Sequence, residues 1–486
     1  MKTWAVYRPL LVGSVALTVC LLVVTLLMTA RSVGATLTPT NDAPLAKKPR
    51  TPSAVNEVLL PKSTAAYNGV ITPATTVYAP WVLGGTSFLR VYNAGDVEAT
   101  VRATFYDAGQ SFVKESSLVA GAVDDIWPPG VIVTGTTMSA ILTGSQPLVV
   151  TVNDFSRDRL RVTSYAAIPQ GVSDTRLNLP HILFDYSGDS WPVIQNVGVM
   201  TAHVTIVYTD PNKLDRNWQD SQELAPGQVY VFDPSDASLP QGFQGFATVS
   251  SEQPLVAVVN TEETAYPPNT YVYRVPFPPA RPGVDRPLYF PSLINQFENW
   301  DRSMIWLINA GATGVTFDLE IDGQVDQANQ LIDSWDVGSY IQNNLASEWA
   351  GAGRVAEAQS LHGLVWLLGN FTGDSVAAYT AFSRGANTWY LPYTDEGAAF
   401  TTYVAVQNLS HAATVPVCLI YHDAEGETTI VEDAIPPSRM VRFAAPTGFV
   451  GGVVVEADQP VTAVAVIAGR LILDKAVYMP VAWRSD

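Results

Sequence analysis

From residue 72 onward, apolar and polar positions alternate in short runs of strand length, and Pro, Gly, Asn and Asp punctuate them. Period-two alternation in short runs predicts antiparallel strands with one buried face. The pattern repeats four times. Four segments open alike, at Val77-Tyr-Ala-Pro80, Leu177-Asn-Leu-Pro180, Leu288-Tyr-Phe-Pro291 and Trp389-Tyr-Leu-Pro392. Each is followed by an alternating strand ending in Asn: Asn93, Asn196, Asn309 and Asn408. A second strand then runs into a polar turn with Asp107, Asp210, Asp322 or Asp423. Later in the unit, Gln146-Pro147, Gln253-Pro254 and Gln459-Pro460 open a continuous apolar strand, and His362-Gly363 stands at that place in the third copy. A last strand carries Tyr165, Tyr273, Tyr379 and Tyr478.

Order and spacing are kept throughout, so the units are read as internal repeats at 72–172, 173–284, 285–386 and 387–486. Seven or eight short strands in about a hundred residues is the pattern of a β-sandwich. Pro at the start of each unit suits an edge strand, because Pro has no N–H for a central ladder. Asn at a strand end suits a turn, where its side chain bonds local backbone. Gln324 to Leu345 is less regular and reads as a decorated loop followed by a strand. Four such modules in series predict a rod.

These landmarks resemble the tandem immunoglobulin-like modules of bacterial cell-surface and secreted proteins. They are similar in style to repeats in large exported proteins of Chloroflexi-like bacteria. The resemblance spans 72–486 and implies an all-β fold of four tandem Ig-like antiparallel β-sandwiches. It brings no catalytic residue. The Cys–Trp–Cys pattern of antibody domains is absent, which argues for an Ig-like shape without Ig ancestry.

The N-terminus is different. Lys2 and Arg8 precede an uncharged run from Leu10 to Ala30. With Val33-Gly34-Ala35 behind it, 1–35 reads as a signal peptide or as a signal-anchor helix. Acylation of Cys20 is disfavoured, since Leu17-Thr18-Val19 puts no small residue before it. Either surviving reading places the rest of the chain outside the cytoplasm, at the cell surface or beyond, with membrane attachment only through an uncleaved N-terminus. No C-terminal sorting motif follows the last unit. Residues 36–71 are rich in Pro and Thr, carry Lys47-Lys48-Pro49-Arg50, and read as a stalk.

Charge narrows the partners. The chain has 27 basic and 45 acidic residues, net −18. Such a surface repels phosphate backbones, so nucleic acid is not an expected partner. An envelope glycan or a surface protein is. Two cysteines, Cys20 and Cys418, exclude a disulfide framework and a thiolate cluster. Cys418 reads as a small buried hydrophobe.

Candidate chemistry is sparse. His181, His203, His362, His411 and His422 form no metal-binding spacing. No G-x-S-x-G motif occurs. Asp124-Asp125 and Glu262-Glu263 point to opposite strand faces and read as solvated charges. Calcium is the one metal with candidate ligands, at Asp210, Asn212 and Asp215, with comparable turns at Asp185 and Asp189, Asp322 and Asp326, and Asp423 and Glu425. The competing reading is that Asp is simply a favoured turn residue. Trp81, Trp127, Trp306 and Trp366 read as core fillers. Asn370-Phe-Thr372 and Asn408-Leu-Ser410 fit the N-glycosylation triplet. The expectation is therefore an exported, non-catalytic, structural or adhesive protein without a cofactor. A polysaccharide-binding array would instead display a line of exposed aromatics. An enzyme would need a polar pocket near Trp335 and Trp349, between units three and four.

Overall fold

One long strand organises each unit. The computed structural model describes residues 64–469 except 108, 131, 133, 156–161, 187, 212–215, 264–270, 277–285, 298–299, 310, 335, 342–344, 357–359, 370–375 and 398–399. The segments expected to be the export signal and the stalk before Thr64, together with Tyr478, thus lie outside the described residues. The described elements are β-strands and no helix, gathered into four antiparallel sheets, one for each repeat. No described helix is long and apolar enough to cross a membrane.

In the first unit the long strand is Thr137–Phe155. Its first half pairs with Ala74–Leu83 and with Ala99–Asp107. Its second half pairs with Ser87–Asn93 and Val162–Ala166. One strand therefore serves two layers, and it passes between them near Gln146-Pro147, where a residue without an N–H costs no ladder bond. Phe243–Glu263 and Val450–Gly469 do the same in units two and four. Unit three breaks the strand into Trp349–Val355 and Leu361–Gly369. Register corrects the alignment there. Asn93, Asn196 and Asn408 pair with Leu148, Leu255 and Val461, and Asn309 pairs with Leu361. The counterpart of Gln-Pro is thus Gln359-Ser360, not His362-Gly363. Gln324–Ile332 is also a strand, followed by Val337–Ile341, and not a decorated loop; its irregularity is two register shifts against Val315–Ile321 and Asn329 at φ 51°.

The repeat landmarks are structural joints. Each opening strand has a register shift at its Pro, between Ala79 and Val82, Leu179 and Ile182, Phe290 and Leu293, and Leu391 and Thr394. A bulge leaves one residue's backbone outside the ladder, and buried backbone groups need partners. In unit one, Tyr165 supplies both. Its hydroxyl accepts from Trp81 N at 3.0 Å and donates to Trp81 O at 2.8 Å. Tyr379 does the same for Ser292, at 3.1 and 2.8 Å.

The four Asn residues are fully buried. Asn309 Nδ2 donates to Thr313 O at 2.8 Å, Ile332 O at 3.2 Å and Asp333 O at 2.9 Å, while its Oδ1 accepts from Gly311 N at 2.9 Å. Asn408 reproduces this on Ala413, Ile435, Pro436 and Ser410. One amide ties two turns, which is why this type closes the strand in every copy.

The rod expectation fails at unit four. Its last strand comes from the other end of the described chain. Thr64–Asn68 pairs antiparallel with Val464–Ala468, Tyr67 opposite Ala465. The Tyr67 hydroxyl then serves the unit-four bulge, accepting from Tyr393 N at 3.0 Å and donating to Tyr393 O. Residues 64–68 are a sandwich strand and not stalk. The last strands of the four units lie side by side in cyclic order, 64–68 against 162–166, that against 271–276, that against 376–380, and that against 64–68 again. Asn68 bonds Thr380 across this hub in both directions. The units close on themselves, one to two to three to four to one. Small side chains permit the close approach, with Ala66, Ala166 and Ala378 all buried.

Candidate functional site

Closure creates four seams, and the chain's unusual side chains collect there. At three of the seams the bulge residue of one unit, Tyr393, Trp81 or His181, packs against the next unit's second strand. The residue types differ, so the chemistry differs.

Between units four and one, Tyr393 packs on Phe88 at 5.9 Å, and the Arg90 guanidinium lies 4.6 Å from the Tyr393 ring centre. Arg90 is buried and makes a two-pronged ion pair with Asp125, at 2.7 and 2.6 Å. Asp125 is thus a fixed counter-ion and not a solvated charge. Tyr92 packs on Tyr390 and His422, and burial pushes its phenol up to about 12.

The seam between units one and two is drier. Trp81 packs in one cluster with Val193 and Val258. Ser139 Oγ donates to Gly227 O at 2.6 Å. Gly227 has φ +82°, and a Cβ there would stand 2.5 Å from the Tyr106 ring.

At the seam of units two and three, His181 is enclosed. It is buried, has φ 65°, and sits 4.6 Å from Trp306 and 5.1 Å from Trp366, ring centre to ring centre. Neither ring nitrogen has a hydrogen-bond partner among the described residues. Burial drives its pKa down to about 3, so the imidazole is neutral. Sequence reading took Trp306 and Trp366 as core; Trp366 is buried and Trp306 partly so, but both pack at the seam against unit two, and nothing in the sequence signalled that His181 shares their pocket.

Units three and four meet through polar contacts. Arg439 donates to Asp322 Oδ2 at 2.6 Å, and Gln407 donates to Gly353 O at 3.0 Å. Trp349 Nε1 donates to the same Asp322 carboxylate at 3.2 Å. Polar groups do converge here, as an enzyme near Trp349 would require, but the cavity, lined by Asp322, Gly353 and Gln407 and not by Trp349 or Arg439, measures about 10 Å³. That is room for one water. Trp335 lies outside the described residues.

Of the expected calcium ligands, Asp210 is buried, and Asn212 and Asp215 lie outside the described residues. Asp189 accepts from Asp185 N, and Asp423 accepts from Glu425 N and Glu427 N. Among the described residues, no group of three His, Cys, Asp or Glu side chains is placed to hold a metal. His411 bonds Ser438 and His203 bonds Glu223.

Two surface features remain. Trp127 is 46% exposed, contrary to its reading as core, and stacks on Phe88 at 5.1 Å. A shallow groove of about 760 Å³ on unit four is lined by Cys418, Glu432, Asp433, Glu456 and Asp458. Cys418 is partly exposed there. Partial burial and the carboxylates of Glu432 and Glu456 push its thiol up, away from the reactive thiolate.

No family profile matches the chain, and no curated protein matches it. Among solved structures, Thermotoga maritima 1070 aligns with 21% of this chain and 97% of its own, at 15% identity and TM-score 0.19. A Solanum melongena vicilin aligns over 66% of this chain and 74% of its own, at 9% identity and TM-score 0.15. A tetra-tandem repeat from the extending region of a large adhesion protein aligns over 81% of this chain and 98% of its own, at 12% identity and TM-score 0.11. The likeness to an adhesion repeat and to vicilin is weak, and at these scores it carries no argument about function.

Proposed function

We propose that the protein is an exported, non-catalytic structural or adhesive element of the cell envelope, a ring of four β-sandwich units and not a rod. The observation behind this reading is where the recurring residues are used. The four Asn landmarks, Tyr165 and Tyr379 satisfy backbone groups inside the fold, and charged and aromatic residues that break the repeat lie between units. What is left for a partner is an acidic outer surface, suited to solubility and to a glycan or protein ligand and opposed to nucleic acid. A second reading, glycan binding, is favoured by one observation. Trp127 is an exposed indole held flat by Phe88, the geometry on which a sugar ring stacks.

The test is binding of the purified protein to a panel of glycans and cell-wall polymers, with calcium and with chelator, beside Trp127→Ala. Saturable binding to one glycan class that is lost in Trp127→Ala supports the second reading. Its loss in chelator would bring calcium into the mechanism. No binding in any arm supports the structural role, and tight DNA binding would overturn the account.

A further inference from the structure

The four seams are held by different means. Between units four and one the main chain itself crosses. Thr64–Asn68 pairs with Val464–Ala468, Gly69 N donates to Ala463 O at 3.0 Å, and Val70 and Tyr390 exchange bonds of 2.9 Å. Ser139 donates to Gly227 O between units one and two, and Gln407 to Gly353 O between units four and three. Gln407 stands just before the landmark Asn408, as Gln195 stands before Asn196. In unit three that position is Ile308, before Asn309, and its side chain has no donor. Ile308 shares a strand face with Met304 and Trp306, which pack against unit two's core together with Leu364, Trp366 and Ala378. The polar side chain set against these apolar groups is His181, on Trp306 and Trp366.

We propose that this seam is an acid-sensitive gate in the ring: protonation of His181 parts units two and three while the other three seams stay closed. The imidazole is enclosed and neither ring nitrogen has a partner among the described residues. A charged ring there loses its hydration, and the indole faces return only part of that loss. The charged groups on unit three's surrounding strands are Asp301 and Arg302 on Trp300–Asn309 and His362 on Leu361–Gly369, while Val376–Thr380 has only Tyr379, which serves Ser292. Unit two's strands carry Asp189, Glu252, Glu262, Glu263, Tyr271, Tyr273 and Arg274, and His181's own strand has Asp174 and Arg176, with Asp185 just after it. None of these sets its titration, which burial alone pushes down to about 3, against about 6.5 in water. The closed seam is therefore fully favoured above pH 6.5 and loses ground as pH falls toward 3. From pH 8 to pH 5 the open-to-closed ratio rises about thirtyfold. His362 shares a strand face with Leu364 and Trp366, is pushed down to about 4 by burial, and acts in the same direction. Opening bares two indoles and the Leu364 face, an apolar surface hidden at neutral pH.

Thiol labelling in the full-length chain tests the gate. Cys20→Ser and Cys418→Ser remove the native thiols, and Leu364→Cys places one in the seam. The reagent is dithiodipyridine, which reacts with thiols in acid as well as at neutral pH. Dividing each rate by that of the same chain unfolded in urea at the same pH gives the open fraction. From pH 8 to pH 5 that fraction should rise at least about thirtyfold, and His181→Asn should cut the rise by about that factor. Asn does not titrate and tolerates the left-handed backbone of this position; His181→Phe serves in its place if the Asn variant fails to fold. Val193→Cys, in the seam of units one and two, should show no such rise. An open fraction that does not change with pH overturns the proposal. So does a rise undiminished by replacing His181, or an equal rise at Val193, which would mean acid unfolding of the whole chain.

Discussion

Asn408 is the sharpest point at which to press on the fold. Its amide donates to Ala413 O at 2.8 Å, Ile435 O at 2.9 Å and Pro436 O at 3.1 Å, and accepts from Ser410 N at 2.8 Å. No part of it reaches solvent. Asn408→Ala removes both donor hydrogens and the acceptor from a site water does not enter. At about 1–3 kcal/mol for each buried group left unpaired, and with some relaxation of the turns, the loss should be about 3–5 kcal/mol. Asn408→Asp keeps the shape and inverts the charge logic. Its carboxylate would face three carbonyl oxygens, so the folded state would favour the protonated acid and raise its pKa. Stability of that variant is then greatest below the ordinary carboxylate range of about 4 and falls as pH rises through the raised value. Urea titrations of both variants from pH 4 to 8, with Asn93→Ala as the same joint in unit one, decide the matter. Asn408→Asp should be the less stable at pH 7, and the gap should close toward pH 4. A loss below about 1 kcal/mol for Asn408→Ala, or identical pH curves for the two, would refute the reasoning. The same burial predicts that Asn408 carries no glycan in the folded protein, although its triplet is intact.

Other outcomes follow from the seams. His181 is neutral at a pKa of about 3, against about 6.5 unfolded. The stability it permits is full above pH 6.5 and falls between 6.5 and 3 by up to about 1.4 kcal/mol per unit. His181→Phe should flatten that part of the pH–stability curve, read by urea titration. Arg90→Ala leaves Asp125 without its buried counter-ion and should cost about 3 kcal/mol, measured by chemical unfolding. Gly227→Ala combines a positive φ with a clash on Tyr106 and should cost at least about 1 kcal/mol, with faster amide exchange at Ala140 and Val229. Arg439→Ala should cost about 0.5 kcal/mol or less, because its side chain is 52% exposed.

Much of the interior was legible because repetition averages out accident. Asn at a strand end has a physical meaning, and seeing it four times in one place made the turn role plain. The two-layer strand was legible from its apolar run, but its register in unit three was not, because Ser360 replaces the Pro that marks the crossing elsewhere. Closure was missed for a different reason. A hairpin leaves a local signature in spacing, and Tyr478 carries that signature. Thr64–Asn68 pairs with a segment nearly four hundred residues away, where spacing says nothing. The signal available was the match of Ala65-Ala66-Tyr67 to Ala377-Ala378-Tyr379, inside a segment read as stalk. Seam residues were invisible for the same cause. Nothing in the order of residues brings His181 to Trp306 or Arg90 to Tyr393 until the units are stacked.

The contrast between landmarks and seams also explains how four similar units assemble in one order. If every seam were alike, unit one could dock on three or four with equal gain, and the chain would have several rings of similar energy. The seams are not alike. The unit-four bulge offers an aromatic ring to Phe88 and Arg90, whereas the unit-two bulge offers an imidazole to two indoles. Placing Tyr393 against Trp306 would forfeit its cation contact and leave Arg90 with only Asp125 and Phe88 of its own unit. Placing His181 against Arg90 would bury an imidazole beside a guanidinium. Wrong pairings therefore lose specific contacts and strand polar groups in dry surroundings, which costs more than the shared apolar contacts return. The repeated residues make each unit fold, and the unrepeated ones make the units find their neighbours.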